Sequence, residues 1–166
     1  MKLLRHIEDS SFTDNKDTWK RFASRAVAFD ENNLVSILFV SKFNYHKLPG
    51  GGIDKGENIE EACKRELIEE TGCEIEIGHE IGIVTERRKE WNFDQTSYCF
   101  LGKVIKKGEQ HLEQDEINDG FELVWLTLDE AIKTLKKDKP QNYEGKFIQE
   151  RDLVFLEEAE KIIHNV

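Results

Sequence analysis

A chain of 166 residues with 38% apolar side chains is long enough for one globular domain, residues 1–166, whose core needs no covalent cross-links. Its three cysteines, Cys63, Cys73 and Cys99, form no CxxC pair, which argues against a disulfide framework and a thiolate zinc site and favours a reducing, cytoplasmic location. A formal charge of -10 opposes binding of polymeric nucleic acid, although a small anionic substrate fits if a divalent metal supplies positive charge.

The N-terminal third of the chain is predicted to contain a hairpin and a glycine-rich loop. Residues 1–10, MKLLRHIEDS, carry charge early and contain no long apolar run, so neither a signal peptide nor a membrane span is expected. Two β-prone runs between Arg21 and Lys42 are separated by DENN, which suits a turn and predicts a β-hairpin. LPGGGIDKGE at 48–57 is so rich in glycine that we expect a loop there and not a strand.

A helix is predicted from Ile59 to Thr71. Asn58 stands at the N-cap position, Glu61 has the spacing of a capping box, and Gly72 suits the left-handed residue that ends a helix.

The rest of the chain alternates between strand and helix patterns. β-prone segments lie at 74–86, 97–105 and 121–128, and an acidic stretch lies at 109–120. Two helical patterns follow at 128–137 and 147–163. Strands that precede, separate and follow helices indicate an α/β fold with a mixed central sheet and helices on both faces, an α/β/α sandwich.

The predicted helix turns three glutamates toward the interior. At about 100° per residue, Glu69 and Glu70 fall in the same arc as Glu66, which is also the arc of the apolar residues. A run of acidic residues is ordinarily a solvated surface. Here the carboxylates continue the inward stripe, and clustered carboxylates are tolerated when they bind a hard divalent cation. A metal site is the better of these two interpretations.

The stretch from Gly51 to Cys73, GGIDKGENIEEACKRELIEETGC, resembles the Nudix box, although Cys73 replaces the usual bulky aliphatic residue. The resemblance implies a Nudix-type α/β/α sandwich that uses Mg²⁺ or Mn²⁺. It also implies hydrolysis of the pyrophosphate bond in a nucleotide, or in a nucleoside diphosphate linked to another moiety X, by water attack at phosphorus. The matching positions are Gly51, Glu57, Arg65, Glu66, Leu67, Glu69, Glu70 and Gly72.

The same resemblance assigns the metal ligands. Glu69 and Glu70 are expected to bind the metal, and Glu66 is expected to be either a third ligand or the general base. The carbonyl of Gly50, just before the box, is expected to be a further ligand.

Four residues around these ligands have two interpretations each. Arg65 either assists catalysis by holding the box glutamates in orientation, as the resemblance implies, or forms an ordinary surface ion pair. Glu57 either supports the metal or interacts with the start of the helix. Because the base lies in a downstream loop in some family members, Glu113 and Glu116 are candidate bases, with solvated loop acids as the alternative.

Substrate contacts are predicted from residue type. Arg87 and Trp91 offer the polar contact and the aromatic platform that a nucleobase needs, unless they are a solvated charge and a core aromatic. Arg25 and Lys42 either reach a phosphate or point outward from the hairpin strands. The expected partner is a small nucleotide, with no membrane and with a homodimer left open beside a monomer.

Two other functions stay as alternatives. A Nudix-fold domain that senses nucleotides or binds a partner without catalysis typically lacks box glutamates, all of which are present here. Cleavage of RNA ends needs a basic channel, which the net charge of -10 opposes.

Overall fold

The computed structural model describes residues 1–165 as one mixed sheet with four helices. The strands are β1 (Leu3–Glu8), β2 (Trp19–Phe29), β3 (Val35–Val40), β4 (Tyr45–Lys47), β5 (Gly50–Gly52), β6 (Cys73–Arg88), β7 (Phe93–Lys107) and β8 (Phe121–Leu126). The helices are α1 (Ile59–Thr71), α2 (Gln114–Asp119), α3 (Leu128–Lys137) and α4 (Tyr143–His164). The strand order is β1-β6-β7-β2-β3-β4, with β5 paired to β2 and β8 paired to β3.

Two apolar layers cover the two faces of the sheet. Side chains of β2 alternate between them: Val27 packs in the cluster that contains α3 and α4 residues, whereas Ala26 and Ala28 pack with Leu67 of α1. Helices therefore lie on both faces, which confirms the α/β/α sandwich predicted from the sequence.

Local signals set the position of α1. The Asn58 side chain accepts hydrogen bonds from the N–H groups of Glu60 and Glu61, and the Glu61 carboxylate accepts one from the N–H of Asn58. Gly72 ends the helix in the left-handed conformation, with φ of 73°. These caps agree with the predicted boundaries, and they fix which glutamates of α1 face the sheet.

The glycine segment differs from the prediction, because Gly50–Gly52 form strand β5 where a loop was expected. Gly50 has φ of 137°, and a Cβ at this position would overlap the carbonyl oxygen of Ser24 and the side chain of Arg25. Only glycine lets the backbone pass so close to β2. Close approach to a neighbouring strand, and not flexibility, explains the glycines here.

Other elements also depart from expectation. The predicted hairpin is found only next to its turn, where Phe29 of β2 pairs with Val35 of β3. The rest of β2 does not pair with β3, and β2 pairs along its whole length with β7. The acidic stretch contains α2, and α4 begins at Tyr143 because Asn142 caps it. Strand β4 has only three residues, and β1 buries only one side chain, Ile7, so neither has an apolar pattern that predicts a strand. Within residues 1–165, no helix is long and apolar enough to cross a membrane.

Candidate active site

One cavity, with a volume of about 380 Å³, brings together residues from six parts of the chain. This volume is within the range of small-molecule sites, roughly 300 to 1,000 Å³. We call its two halves the carboxylate end, formed by Glu66, Glu69, Glu70, Glu113 and Glu116, and the arginine end, formed by Arg21, Arg25, Arg88 and Arg151.

Glu70 is the most buried member of the carboxylate end, with 2% of its surface exposed. One carboxylate oxygen accepts a hydrogen bond from Lys47 Nζ at 2.9 Å, and the other accepts one from the N–H of Gly50 at 2.6 Å. Lys47 is buried as well, with Nζ 4.8 Å from the centre of the Phe121 ring. Glu70 therefore ties α1 to the β4–β5 segment.

Arg65 holds the remaining box carboxylates. Its guanidinium grips Glu57 through two hydrogen bonds of 2.9 and 3.0 Å, and these bonds raise the pKa of Arg65. Its Nη1 donates to Glu66 at 2.8 Å and to Glu69 at 3.0 Å, and its Nη2 donates to the Gly52 carbonyl at 2.8 Å. One guanidinium thus fixes the relative positions of three carboxylates and of β5.

The carboxylate end is short of positive charge. Burial raises the pKa of Glu66, and the nearby Glu70 carboxylate raises it further, against the opposing effect of Arg65. Burial raises the pKa of Glu116 to about 7, and Glu70 adds to this shift, although the N–H of Glu113 donates to Glu116 at 2.7 Å. Carboxylates of α1 and α2 therefore repel each other across the cavity.

This donor set fits a divalent cation in its chemistry, because Mg²⁺ and Mn²⁺ prefer oxygen ligands and offset carboxylate repulsion. The backbone at Gly51 also approaches the Glu66 carboxylate so closely that a Cβ would overlap it. In residues 1–165, however, no three acidic, histidine or cysteine side chains are grouped so that they could hold an ion as they stand. Instead, Lys47 is hydrogen-bonded to Glu70, and Arg65 is hydrogen-bonded to Glu66 and Glu69.

The arginine end lies on the α4 side of the sheet. Arg25, Arg88 and Arg151 are each only 2% exposed. Strand alternation accounts for two of them, since Arg25 lies on the same face of β2 as Val27, and Arg88 lies on the same face of β6 as Val84. The apolar core beneath α4 thus gives way to a buried charged layer as the strands reach the cavity.

Carboxylates neutralise two of these arginines. Arg88 donates to Glu86 and, at 3.0 Å, to Glu144. Arg151 Nε donates to Asp152 at 2.7 Å, and its Nη1 is 3.5 Å from Glu86. These pairs account for every carboxylate that is buried in this layer of the described chain.

Arg25 is different. In the described part of the chain it forms no ion pair or side-chain hydrogen bond, and its buried Nε has no partner. Burial, together with the neighbouring charge of Arg151, lowers the pKa of Arg25 to about 10.

Three residues predicted to bind substrate do not line the cavity. Lys42 is on the surface, where it pairs with Asp119 at 2.8 Å. Arg87 points to the opposite face of β6 from Arg88, because side chains alternate along a strand. Trp91 is exposed and packs edge to face on Tyr143, outside the cavity wall. Arg88 and three residues that no motif marked, Arg21, Lys47 and Arg151, line the cavity instead.

A groove adjoins the carboxylate end of the cavity, and Arg21 lines both the groove and the cavity. Two large aromatic side chains lie along it, Trp19 with 60% and Phe22 with 53% of their surfaces exposed. The Trp19 ring is held edge to face by Phe93, with 4.9 Å between ring centres. Aromatic surface of this extent is ordinarily buried or used for binding.

The chain matches known proteins across most of its length. The NUDIX domain family model matches residues 19–149. An RNA pyrophosphohydrolase of Sulfurovum sp. is 34% identical over 109 residues, which cover 60% of this chain and 69% of that protein. Diphosphoinositol polyphosphate phosphohydrolase 2 of Rattus norvegicus is 27% identical over 135 residues, which cover 80% and 72% of the two chains.

Solved structures agree on the fold. A NUDIX hydrolase from Nitrosomonas europaea superimposes with a TM-score of 0.61 at 19% identity, covering 85% of this chain and 88% of that one. The family uses divalent metals for its reaction. Since the family model covers residues 19–149, which include the intact box, this protein belongs to the Nudix family and is a pyrophosphohydrolase.

Proposed function

We propose that the substrate is a small nucleotide or nucleoside diphosphate derivative, and that its pyrophosphate is cleaved at the carboxylate end. The observation that supports this site is the convergence of three α1 carboxylates with Glu113 and Glu116 on one cavity beside the β5 backbone. Mg²⁺ or Mn²⁺ bound there would neutralise phosphate oxygens and acidify a water for attack at phosphorus.

Glu66, Glu69, Glu70 and the Gly50 carbonyl are the proposed ligands. Glu66 and Glu69 share one Arg65 donor atom, so they already lie close to each other. Glu70 is hydrogen-bonded to the N–H of Gly50, which brings its carboxylate to the same turn of backbone. These contacts support a single ligand set drawn from one helix and one strand.

Two groups of residues are positioned to take the proton from the attacking water. Glu66 lies within the ligand set, whereas Glu113 and Glu116 face it from α2 and the segment before it. A base and a ligand differ in a measurable way, because only a ligand contributes to metal-induced stabilisation of the fold.

In this proposal the organic part of the substrate binds in the groove beside Trp19 and Phe22. Ile148 is the one apolar side chain among the cavity residues of the described chain, so the cavity offers a nucleobase no platform. The adjoining groove offers two exposed rings on which a base can stack.

A hydrolysis panel tests this proposal. Purified protein is incubated in ¹⁸O-labelled water with Mg²⁺ or Mn²⁺ and nucleoside triphosphates, dinucleoside polyphosphates, nucleotide sugars, a diphosphoinositol polyphosphate or RNA with a 5′ triphosphate. Product masses identify the phosphorus attacked. We expect a small nucleotide to be the best substrate, and preferential cleavage of RNA or of the inositol compound would contradict the proposal.

The base is identified with three variants on the best substrate. Glu116→Gln and Glu113→Gln should lower kcat without changing the rise in melting temperature that Mn²⁺ produces, if either is the base. Glu66→Gln should lower both if Glu66 is a ligand. Glu60→Gln, at an exposed glutamate of the same helix, is the matched control and should change neither.

A further inference from the structure

Arg25 presents a buried charge that has no ion-pair or side-chain hydrogen-bond partner in the described chain. Arg25 is one of the residues that line the cavity, yet only 2% of it is exposed to solvent. Burying a charged group without a partner is costly, and proteins ordinarily pair it. A ligand that brings negative charge into the cavity would remove this cost.

The surroundings of Arg25 reinforce the point. Arg21, Arg88 and Arg151 line the same end of the cavity, so guanidinium groups come from two strands and a helix. Two buried carboxylates act electrostatically on Arg25, but Asp152 is paired with Arg151 and one oxygen of Glu86 with Arg88. The buried Nε of Arg88 also lacks a partner.

We propose that the arginine end is a subsite for a phosphate group of the substrate that does not react, with Arg25 as its main ligand. Planar guanidinium groups donate two or more hydrogen bonds to one phosphate, which explains why arginines and not lysines are gathered there. The inference rests on the proposed function, because it assumes that the cleaved pyrophosphate bond lies at the carboxylate end.

This subsite orients the substrate. The substrate enters phosphate first, with one phosphate among the arginines, the cleaved bond beside Glu66, Glu69 and Glu70, and the organic part toward Trp19 and Phe22. Substrates with more phosphate groups than the cleaved bond requires are therefore preferred, because a lone pyrophosphate linkage leaves Arg25 without a partner.

Calorimetry with inorganic pyrophosphate in EDTA tests the subsite without metal and without turnover. The Arg25→Met variant, of similar volume but uncharged, should bind about ten- to hundredfold more weakly than the wild type, the loss expected for hydrogen bonds to a charged group. Arg5→Met is the matched control, because Arg5 is exposed on β1 and pairs with Glu150 at the surface. Unchanged affinity in Arg25→Met, or no binding by the wild type, would overturn the proposal.

Thermal unfolding separates a binding role from a structural one. Because Arg25 has no partner to lose, Arg25→Met should melt at or above the temperature of the wild type. A melting temperature well below it would show that Arg25 stabilises the fold and would overturn the proposal. Arg21→Gln, at a half-buried position of the same end, repeats the binding comparison with the core intact and should also weaken pyrophosphate binding.

The subsite and the proposed function can fail independently. If pyrophosphate binding depends on Arg25 but no nucleotide in the panel is cleaved, the subsite stands and the proposed function is wrong. If a nucleotide is cleaved and Arg25→Met leaves its KM unchanged, the proposed function stands and the subsite is wrong. We expect KM for the best substrate to rise about ten- to hundredfold in Arg25→Met, with a smaller change in kcat.

Discussion

The two ends of the cavity carry opposite charge, and they are assembled in different ways. Three of the five carboxylates come from α1, and Lys47 and Arg65 form ion pairs with them without balancing their full charge. The arginines come from β2, β6 and α4, and there one member, Arg25, is left without a partner.

Ion pairs within the protein thus hold each end together, and under the proposed function each end also binds a charge of the opposite sign. At the carboxylate end the pKa of Glu116 is raised to about 7, and at the arginine end the pKa of Arg25 is lowered to about 10. Both shifts have burial as their first cause and like charge as a further one. A substrate with anionic groups, bound with a divalent cation, complements both ends at once.

The largest expected effect is at the carboxylate end. Glu70→Gln should lower kcat/KM on the best substrate by about 10²- to 10⁴-fold, the range for groups that stabilise charge or transfer protons in a transition state. Steady-state kinetics at saturating Mg²⁺ measure it, with Glu60→Gln as the control on the same helix. Full turnover in Glu70→Gln would remove the assignment of this end as the reaction centre.

At the arginine end, the paired and unpaired arginines should differ in stability. Arg151→Met leaves Asp152 buried without its ion pair and should lower the free energy of unfolding by about 3 to 5 kcal/mol. Arg25→Met should not lower it. Chemical denaturation of both variants measures the difference, and equal losses would show that Arg25 is as structural as Arg151.

The carboxylate end could be predicted from the sequence better than the arginine end, because one helix supplies most of its residues. α1 and its carboxylates were predictable because their signals are local: the Asn58 cap, the Gly72 stop and the box spacing all lie within one segment. The conformation of β5 was not, since it depends on how closely Gly50 approaches β2.

The arginine end was out of reach because it depends on strand register. Arg87 and Arg88 are adjacent, and a shift of one residue exchanges which of them faces the cavity. The pairing of β6 with β7 is irregular on both sides of Glu80, and the sequence does not show how these shifts add up, so the face of Arg88 cannot be extrapolated from Cys73. Arg151 lies in a helix with ordinary charged residues around it, and only the packing of α4 on the sheet brings it beside Arg25.

Metal binding should stabilise the fold through the carboxylate end and not through the arginine end. At a Mn²⁺ concentration 100 times its dissociation constant, the free energy of unfolding should rise by about 2.7 kcal/mol, because the proposed metal site exists only in the folded protein. Glu69→Gln and Glu70→Gln should lose this gain, while Arg25→Met should keep it. Thermal unfolding with and without EDTA measures the effect, and an undiminished gain in both glutamine variants would mean that the metal binds elsewhere.

Arg65→Lys tests whether orientation of the carboxylates matters beyond their charge. Lysine keeps the positive charge but cannot grip Glu57 with two bonds while also reaching Glu66. We expect kcat to fall about 10- to 100-fold, as for other residues that orient metal ligands, and the Mg²⁺ concentration for half-maximal activity to rise. Unchanged metal dependence with a lower melting temperature would assign Arg65 a purely structural role.

The smallest expected effect lies outside both charged ends, at the aromatic groove. Trp19→Ala should raise KM for a nucleotide about three- to tenfold, since one exposed ring stacked on a base contributes about 0.5 to 1.5 kcal/mol. The affinity for inorganic pyrophosphate should stay unchanged, because pyrophosphate has no organic part to stack. Ile105→Ala, at an apolar residue that is as exposed as Trp19 and lines neither the groove nor the cavity, is the control. If Trp19→Ala weakens pyrophosphate and nucleotide equally, the groove acts on the charged ends and not on the base, and the substrate lies in the cavity in another direction.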